Sequence, residues 1–254
     1  MNDPFDLSGR VALITGGGTG LGRHAAQVLA NAGAAVVLCA RRTDKLEATA
    51  AEIRDSGARA TCAAMDVTDA AQIAAAFNAA EALGTASIIV NNAGAVADRQ
   101  LLDVDESDWD RVLSTNLKGP WLVAREGARR LVAANQPGTI INIASALAWA
   151  VQKGTGPYSA SKAALVHLTR VMAIEWARYQ IRVNAIAPGY FASDLAADFL
   201  ATEQAHAMIK RIPQRRIGEL TDLTGAILLL ASNASNYMTG STITVDGGHS
   251  VPTF

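Results

Sequence analysis

The sequence predicts an α/β protein: one doubly wound, seven-stranded parallel sheet with helices on both faces, in a single domain over residues 1–254. Three observations predict it. Short apolar runs bounded by turn residues alternate with longer helical patterns along the chain, as expected for strands buried between crossover helices. No Pro- or Ser-rich linker and no internal repeat interrupts that alternation. With 254 residues, 50% of them hydrophobic, the chain can bury one sizeable core and is near the upper size of a single domain.

The first strand is expected at Val11–Ile14, followed by the turn Thr15-Gly16-Gly17-Gly18-Thr19-Gly20-Leu21-Gly22 and a helix over about 20–32. Glycines there allow a tight turn and close approach of the backbone to a pyrophosphate, while the helix N-terminus offers free N–H groups and a partial positive charge. Strand, turn and helix together read as a phosphate cradle of the Rossmann type, although the spacing of Gly16, Gly20 and Gly22 is G-x-x-x-G-x-G. Gly33 ends the helix, and the second strand is Ala35–Cys39. At its end, 18 residues past Gly22, a carboxylate would bind the ribose 2′-hydroxyl of NAD; the chain has Ala40, then Arg41 and Arg42. Two guanidiniums without an acid fit a 2′-phosphate. The predicted cofactor is therefore NADP (NADPH), ahead of NAD.

A helix over 43–56 ends at Gly57, and the third strand is Ala60–Ala64. A helix over 69–83, the strand Ser87–Val90, one long helix over 106–134 and the strand Thr139–Ile143 come next. A helix over 157–178 precedes the strand Arg182–Ile186. Residues 190–216 break the rhythm and read as an insertion, a substrate lid; Phe191, Leu195, Phe199, Leu200, Met208 and Ile209 predict one or two short amphipathic helices in it. A helix over 221–232 and the strand Thr242–Val245 complete the sheet.

A net charge of -1 with no long basic run argues against nucleic acid as a partner. The N-terminus has no signal-peptide pattern and no apolar run reaches the roughly 20 residues of a membrane span, so a cytoplasmic protein without a membrane partner is expected. Cys39 and Cys62 lie in apolar strand segments and read as free thiols, and the four scattered histidines outline no metal site.

Tyr158 and Lys162, four residues apart at the start of a predicted helix, share one helix face, 13 residues after Ser145. A phenol has an unperturbed pKa of about 10. A cation at roughly 4 Å in an effective dielectric of roughly 20 favours the phenolate by about 4 kcal/mol, nearly enough for proton transfer near neutrality. Desolvation opposes the effect, so a second cation is expected, and an oxidised nicotinamide would be one.

The set Thr15-Gly16-x-x-x-Gly20-x-Gly22, Asn91-Asn92-Ala93-Gly94, Asn116, Ser145, Tyr158-x-x-x-Lys162 and Pro188-Gly189 resembles the short-chain dehydrogenase/reductase family, in its branch of about 250 residues, over essentially the whole chain. The resemblance implies that Tyr158 gives a proton to a substrate carbonyl in reduction and takes it back in oxidation, while Ser145 polarises that oxygen. It implies that Lys162 lowers the Tyr158 pKa and holds the nicotinamide ribose, and that Asn116 binds a water linking Lys162 to solvent. Gly16, Gly18, Thr19, Gly20, Leu21 and Gly22 would line the pyrophosphate, Asp66 and Val67 the adenine, and Asn92, Ala93 and Gly94 the cleft floor. Pro188, Gly189, Phe191 and Ser193 would hold the carboxamide, with Ser193 where the family usually has Thr. Thr19 stands where many NADP-dependent members carry a base, which leaves Arg41 and Arg42 as the evident 2′-phosphate ligands.

The expected activity is hydride transfer between NADP(H) and a ketone or secondary alcohol (EC 1.1.1.-), a carbonyl reductase or alcohol dehydrogenase. Leu147, Trp149, Val151, Gln152, Tyr190, Leu195 and Phe199, with Ser145, suggest a mainly apolar pocket and an uncharged small-molecule substrate. A 3-oxoacyl-[acyl-carrier-protein] reductase is the specific alternative, although Ala173-Ile174-Glu175 lacks the Arg such enzymes place there; a non-catalytic NADP-binding scaffold or redox sensor is the alternative of another class. The resemblance implies a homotetramer or homodimer, and the apolar helices over 106–134 and 157–178 suit such interfaces.

Overall fold

Alternate residues of the central strands face opposite sides. In β1 (Val11–Thr15), Ala12 and Ile14 enter one core layer while Val11 and Leu13 enter the other, as the two-residue period of a strand requires. The computed structural model describes residues 3–192 and 203–251. The other strands are β2 (Ala35–Ala40), β3 (Ala60–Ala64), β4 (Ala86–Asn91), β5 (Gly138–Ile143), β6 (Ile181–Pro188) and β7 (Thr242–Val245). All pairings are parallel, in the order β3-β2-β1-β4-β5-β6-β7. The chain therefore reverses its direction of winding between β1 and β4, and their carboxyl ends flank the crevice where such sheets bind ligands.

The helices are α1 (Gly20–Asn31), α2 (Thr43–Asp55), α3 (Ala70–Ala80), α4 (Glu106–Leu113), α5 (Gly119–Ala133), α6 (Gly156–Trp176), α7 (Glu203–Ile209) and α8 (Thr224–Ala231). Leu29 of α1, Leu46 of α2 and Ile227 and Leu230 of α8 pack one face of the sheet; Phe77 of α3, Val123 and Leu131 of α5 and Met172 of α6 pack the other. Each such fully buried side chain contributes about 1.5–3 kcal/mol. Cys39 and Cys62 fall on these opposite layers and are free; burial pushes the Cys39 thiol up to about 12.

The long helix expected over 106–134 is not continuous. A π-helical turn, Ser114–Lys118, separates α4 from α5. Pro120 has no N–H to give the Asn116 carbonyl four residues earlier, and the Asn116 side chain is committed to another segment, so the regular ladder is broken at that point. The helix expected over 221–232 opens as a 3-10 turn, Leu220–Leu223. In the predicted insertion, α7 carries Met208 and Ile209, whereas Ser193, Leu195, Phe199 and Leu200 lie outside the described residues. No helix of the described residues is long and apolar enough to cross a membrane. No group of three or more potential metal ligands occurs among them.

Candidate active site

The glycine turn is shaped by close approach. Gly16 has φ +67°, and a Cβ on Gly22 would stand 2.1 Å from the Gly16 carbonyl oxygen. No side chain fits there, so the turn brings backbone to the cleft surface. Thr19 is the extended residue before α1 and makes no side-chain cap; the first turn of α1 holds no acid. That helix end keeps its N–H groups and partial positive charge for an anion. The geometry of residues 16–22 leaves room for a dinucleotide pyrophosphate, with half-buried Leu21 packed on the core.

The turn is tied to the end of β4. The Thr15 hydroxyl accepts from the N–H groups of Asn92 and Ala93, both at 2.9 Å, and the Asn92 amide donates to the carbonyls of Thr15 (3.0 Å) and Gly16 (3.2 Å). Beyond it, Asn116 is fully buried. Its Oδ1 accepts from Ala95 N–H at 2.7 Å, and its Nδ2 donates to Ala95 C=O at 2.8 Å and Ser161 Oγ at 3.1 Å. The Asn116 side chain therefore pins the backbone at Ala95. A Cβ on Gly94 would lie 3.5 Å from Asn116 Oδ1 and 4.0 Å from Lys162 Nζ, so these three groups meet.

Ser145 follows β5 as the extended first residue of a 3-10 turn, Ala146–Ala148, and its Oγ accepts from Leu147 N–H at 3.1 Å. Tyr158 and Lys162 occupy the first two turns of α6, where Pro157 suits the start of a helix. Lys162 is buried and its Nζ donates to the Ile143 carbonyl at 2.7 Å, standing 5.6 Å from the Tyr158 ring centroid. Burial lowers the lysine pKa to about 8. Burial also pushes the Tyr158 phenol up, with the Ser145 hydroxyl beside it pulling the other way. Burial outweighs that pull, so the net direction for the phenol is up.

At the rim, Arg41 and Arg42 are exposed and have no hydrogen-bond or ion-pair partner among the described residues. Asp66 accepts from Thr68 N–H (2.9 Å) and Oγ1 (2.7 Å), which hold its carboxyl below its usual range with Arg41 adding to the effect. Asp66 does not cap α3; Asp69 does, accepting from Ala71 and Gln72 N–H groups. The Val67 side chain packs closely on Gly119. Pro188 ends β6, and Gly189 donates to the Val245 carbonyl at 2.9 Å. Phe191 is half-buried against Gly218.

Of the expected substrate wall, Leu195 and Phe199 lie outside the described residues. Leu147 is half-buried, Trp149 is 49% exposed and Val151 is 96% exposed. The Tyr190 hydroxyl donates to Gln152 Oε1, and burial, with the Tyr158 charge adding to it, raises the Tyr190 pKa, so a polar pair stands near the Tyr158 phenol. His249, which nothing in the sequence marks, meets Tyr190 edge-on with ring centroids 5.3 Å apart. Only the folded position of the turn after β7 brings it there.

A family model described as Enoyl-(Acyl carrier protein) reductase matches residues 16–250. The 2-dehydro-3-deoxy-D-gluconate 5-dehydrogenase of Escherichia coli (strain K12) is 40% identical, over 96% of this chain and 96% of its own length. A gluconate 5-dehydrogenase from Burkholderia cenocepacia J2315, solved with NADP and tartrate, superposes with a TM-score of 0.93 at 40% identity, covering 99% of both chains. A short-chain type dehydrogenase/reductase from Mycobacterium marinum superposes equally well, TM-score 0.93, at 41% identity over 98% of this chain and 99% of its own. With its sheet order and the Ser145–Tyr158–Lys162 cluster beside an open glycine cradle, the chain belongs to the short-chain dehydrogenase/reductase family and is an oxidoreductase acting on a CH–OH group or the corresponding carbonyl.

Proposed function

We propose that the chain is an NADP(H)-dependent dehydrogenase of a polyhydroxylated substrate, a sugar acid or polyol, interconverting one secondary alcohol with its ketone. The observation that carries the reaction is the Lys162 ammonium, buried and held on the Ile143 carbonyl one helical turn from Tyr158. A buried cation beside a phenol has a chemical use and no packing use. Bound NADP(H) supplies or takes the hydride. Tyr158 gives its hydroxyl proton to the carbonyl oxygen in reduction and takes it back in oxidation. Ser145 Oγ donates to that same oxygen and orients it, and Lys162 stabilises the phenolate after proton transfer. Asn116 holds the Gly94–Ala95 backbone that walls the lysine. Residues 16–22 take the pyrophosphate, and Arg41 and Arg42 take the 2′-phosphate.

The polar Gln152–Tyr190 pair and the two relatives named for gluconate-type acids move the substrate away from the uncharged ketone that the apolar residues suggest. At the acyl-carrier alternative, Ile174 is 81% exposed where a cation would be needed. Homo-oligomerisation fits the helix surface: Trp121, Val132, Val171 and Ile174 on α5 and α6 all stand exposed to water. Reduced-nicotinamide absorbance, followed with gluconate, a polyol, an apolar secondary alcohol and a 3-hydroxyacyl thioester as substrates for NADP and NAD, tests the reading. The polyhydroxylated substrates with NADP are expected to give the highest kcat/KM; a higher value for the thioester or the apolar alcohol overturns it. Light scattering on the eluting protein checks the oligomer.

A further inference from the structure

Lys45 is the side chain at the cradle whose position nothing above explains. It lies in the first turn of α2, where a cation faces the positive end of the helix dipole and is locally disfavoured. It forms no ion pair among the described residues; the nearby Glu47 is taken by Arg54 and the Cys62 thiol, and Asp44 is the one acid in that turn. Its Cβ is against the glycine turn: a Cβ built on Gly18 would lie 3.1 Å from Lys45 Cβ and 3.2 Å from Leu46 N, and Thr49 Oγ1 donates to the Gly18 carbonyl at 3.3 Å. A side chain at Gly18 would crowd the lysine stem, so the absence of one lets α2 bring its first turn, and Lys45, to the lip of the cradle.

The charge at this lip is one-sided. Arg41, Arg42 and Lys45 are three exposed cations within five positions, opposed at short range by Asp44 and by an Asp66 already bonded to Thr68. The turn itself carries the uncharged Thr19. We infer that Lys45 is a third cationic ligand of the coenzyme 2′-phosphate, reaching from α2 across Gly18 to supply the charge that the turn lacks. This rests on the NADP reading and names the residue that sharpens it. A local preference broken without structural gain is what a binding role would leave.

Binding without turnover tests it. NADPH and NADH are titrated into the full-length protein, following nicotinamide fluorescence, for the wild type, Lys45→Ala, Lys45→Glu and Lys45→Arg. An exposed ammonium on a phosphate predicts about tenfold weaker NADPH binding for Lys45→Ala, a larger loss for Lys45→Glu, and a return to within about twofold of wild type for Lys45→Arg. NADH affinity should stay within about twofold throughout, which a merely structural role would not spare. If the wild type prefers NADPH and Lys45→Ala keeps that preference, the assignment of Lys45 is wrong while Arg41 and Arg42 stand. If the wild type binds NADH as tightly as NADPH, the NADP reading itself fails and the role of Lys45 with it.

Discussion

Replacing Lys162 with Met removes a buried cation while keeping most of its bulk, and its effect on stability should depend on pH in a defined direction. Burial brings the ammonium from its ordinary 10.5 in the unfolded chain to about 8 in the fold. Below pH 8 both states hold the proton and the group contributes no slope. Between pH 8 and 10.5 the unfolded chain binds more protons than the folded one, so wild-type stability rises with pH, at about 1.4 kcal/mol per pH unit. The whole gap amounts to about 3 kcal/mol. It is stabilisation fully present only above the unfolded value and lost as pH falls through about 8. Urea midpoints for wild type and Lys162→Met from pH 7 to 10 isolate the term, because all other groups cancel in the difference. The gap between the two proteins should move by about 2–3 kcal/mol in favour of wild type over that range. A difference that stays flat would show that the lysine is not desolvated, and its standing as a buried cation beside Tyr158 would fall.

Other sites give sharper single outcomes. Asn116→Ala leaves the Ala95 N–H and C=O without their buried partner, a loss of roughly 2–6 kcal/mol at 1–3 kcal/mol each; a urea-midpoint change below about 1 kcal/mol contradicts the clamp. The Arg41→Ala/Arg42→Ala double variant should weaken NADPH binding by about two orders of magnitude and leave NADH within about twofold; equal loss for both coenzymes, by fluorescence titration, removes the 2′-phosphate assignment. Gly22→Ala puts a Cβ 2.1 Å from the Gly16 carbonyl, so the turn must open, with about 1–3 kcal/mol of stability lost and coenzyme binding weakened. Wild-type thermal unfolding and wild-type affinity in that variant would show that the cradle tolerates a side chain.

The strands were legible because apolar runs between turn residues need no tertiary information, and each of the seven forms within two residues of its expected bounds. The π turn was not: hydrophobic period runs through Ser114–Lys118 unchanged, and Pro120 was the one local sign that the ladder could not continue. Asn116, Ser145, Tyr158 and Lys162 were legible as a set from order and spacing, but the use of the Asn116 amide depends on where the loop after β4 folds. The direction of the Tyr158 pKa depends on depth of burial, which a spacing of four residues does not encode. His249 and Lys45 carry no motif. One is placed by the turn after β7 and the other by the missing side chain of Gly18, so both needed coordinates.

Tyr158→Phe probes the proton transfer on which the assigned reaction rests. Its ring keeps the packing at the start of α6, so NADPH binding, titrated by fluorescence, should match wild type while turnover of the best substrate in the panel falls by roughly two to four orders of magnitude, the usual scale of general acid catalysis. Near-normal turnover by this variant would contradict the assignment of Tyr158 as the proton donor.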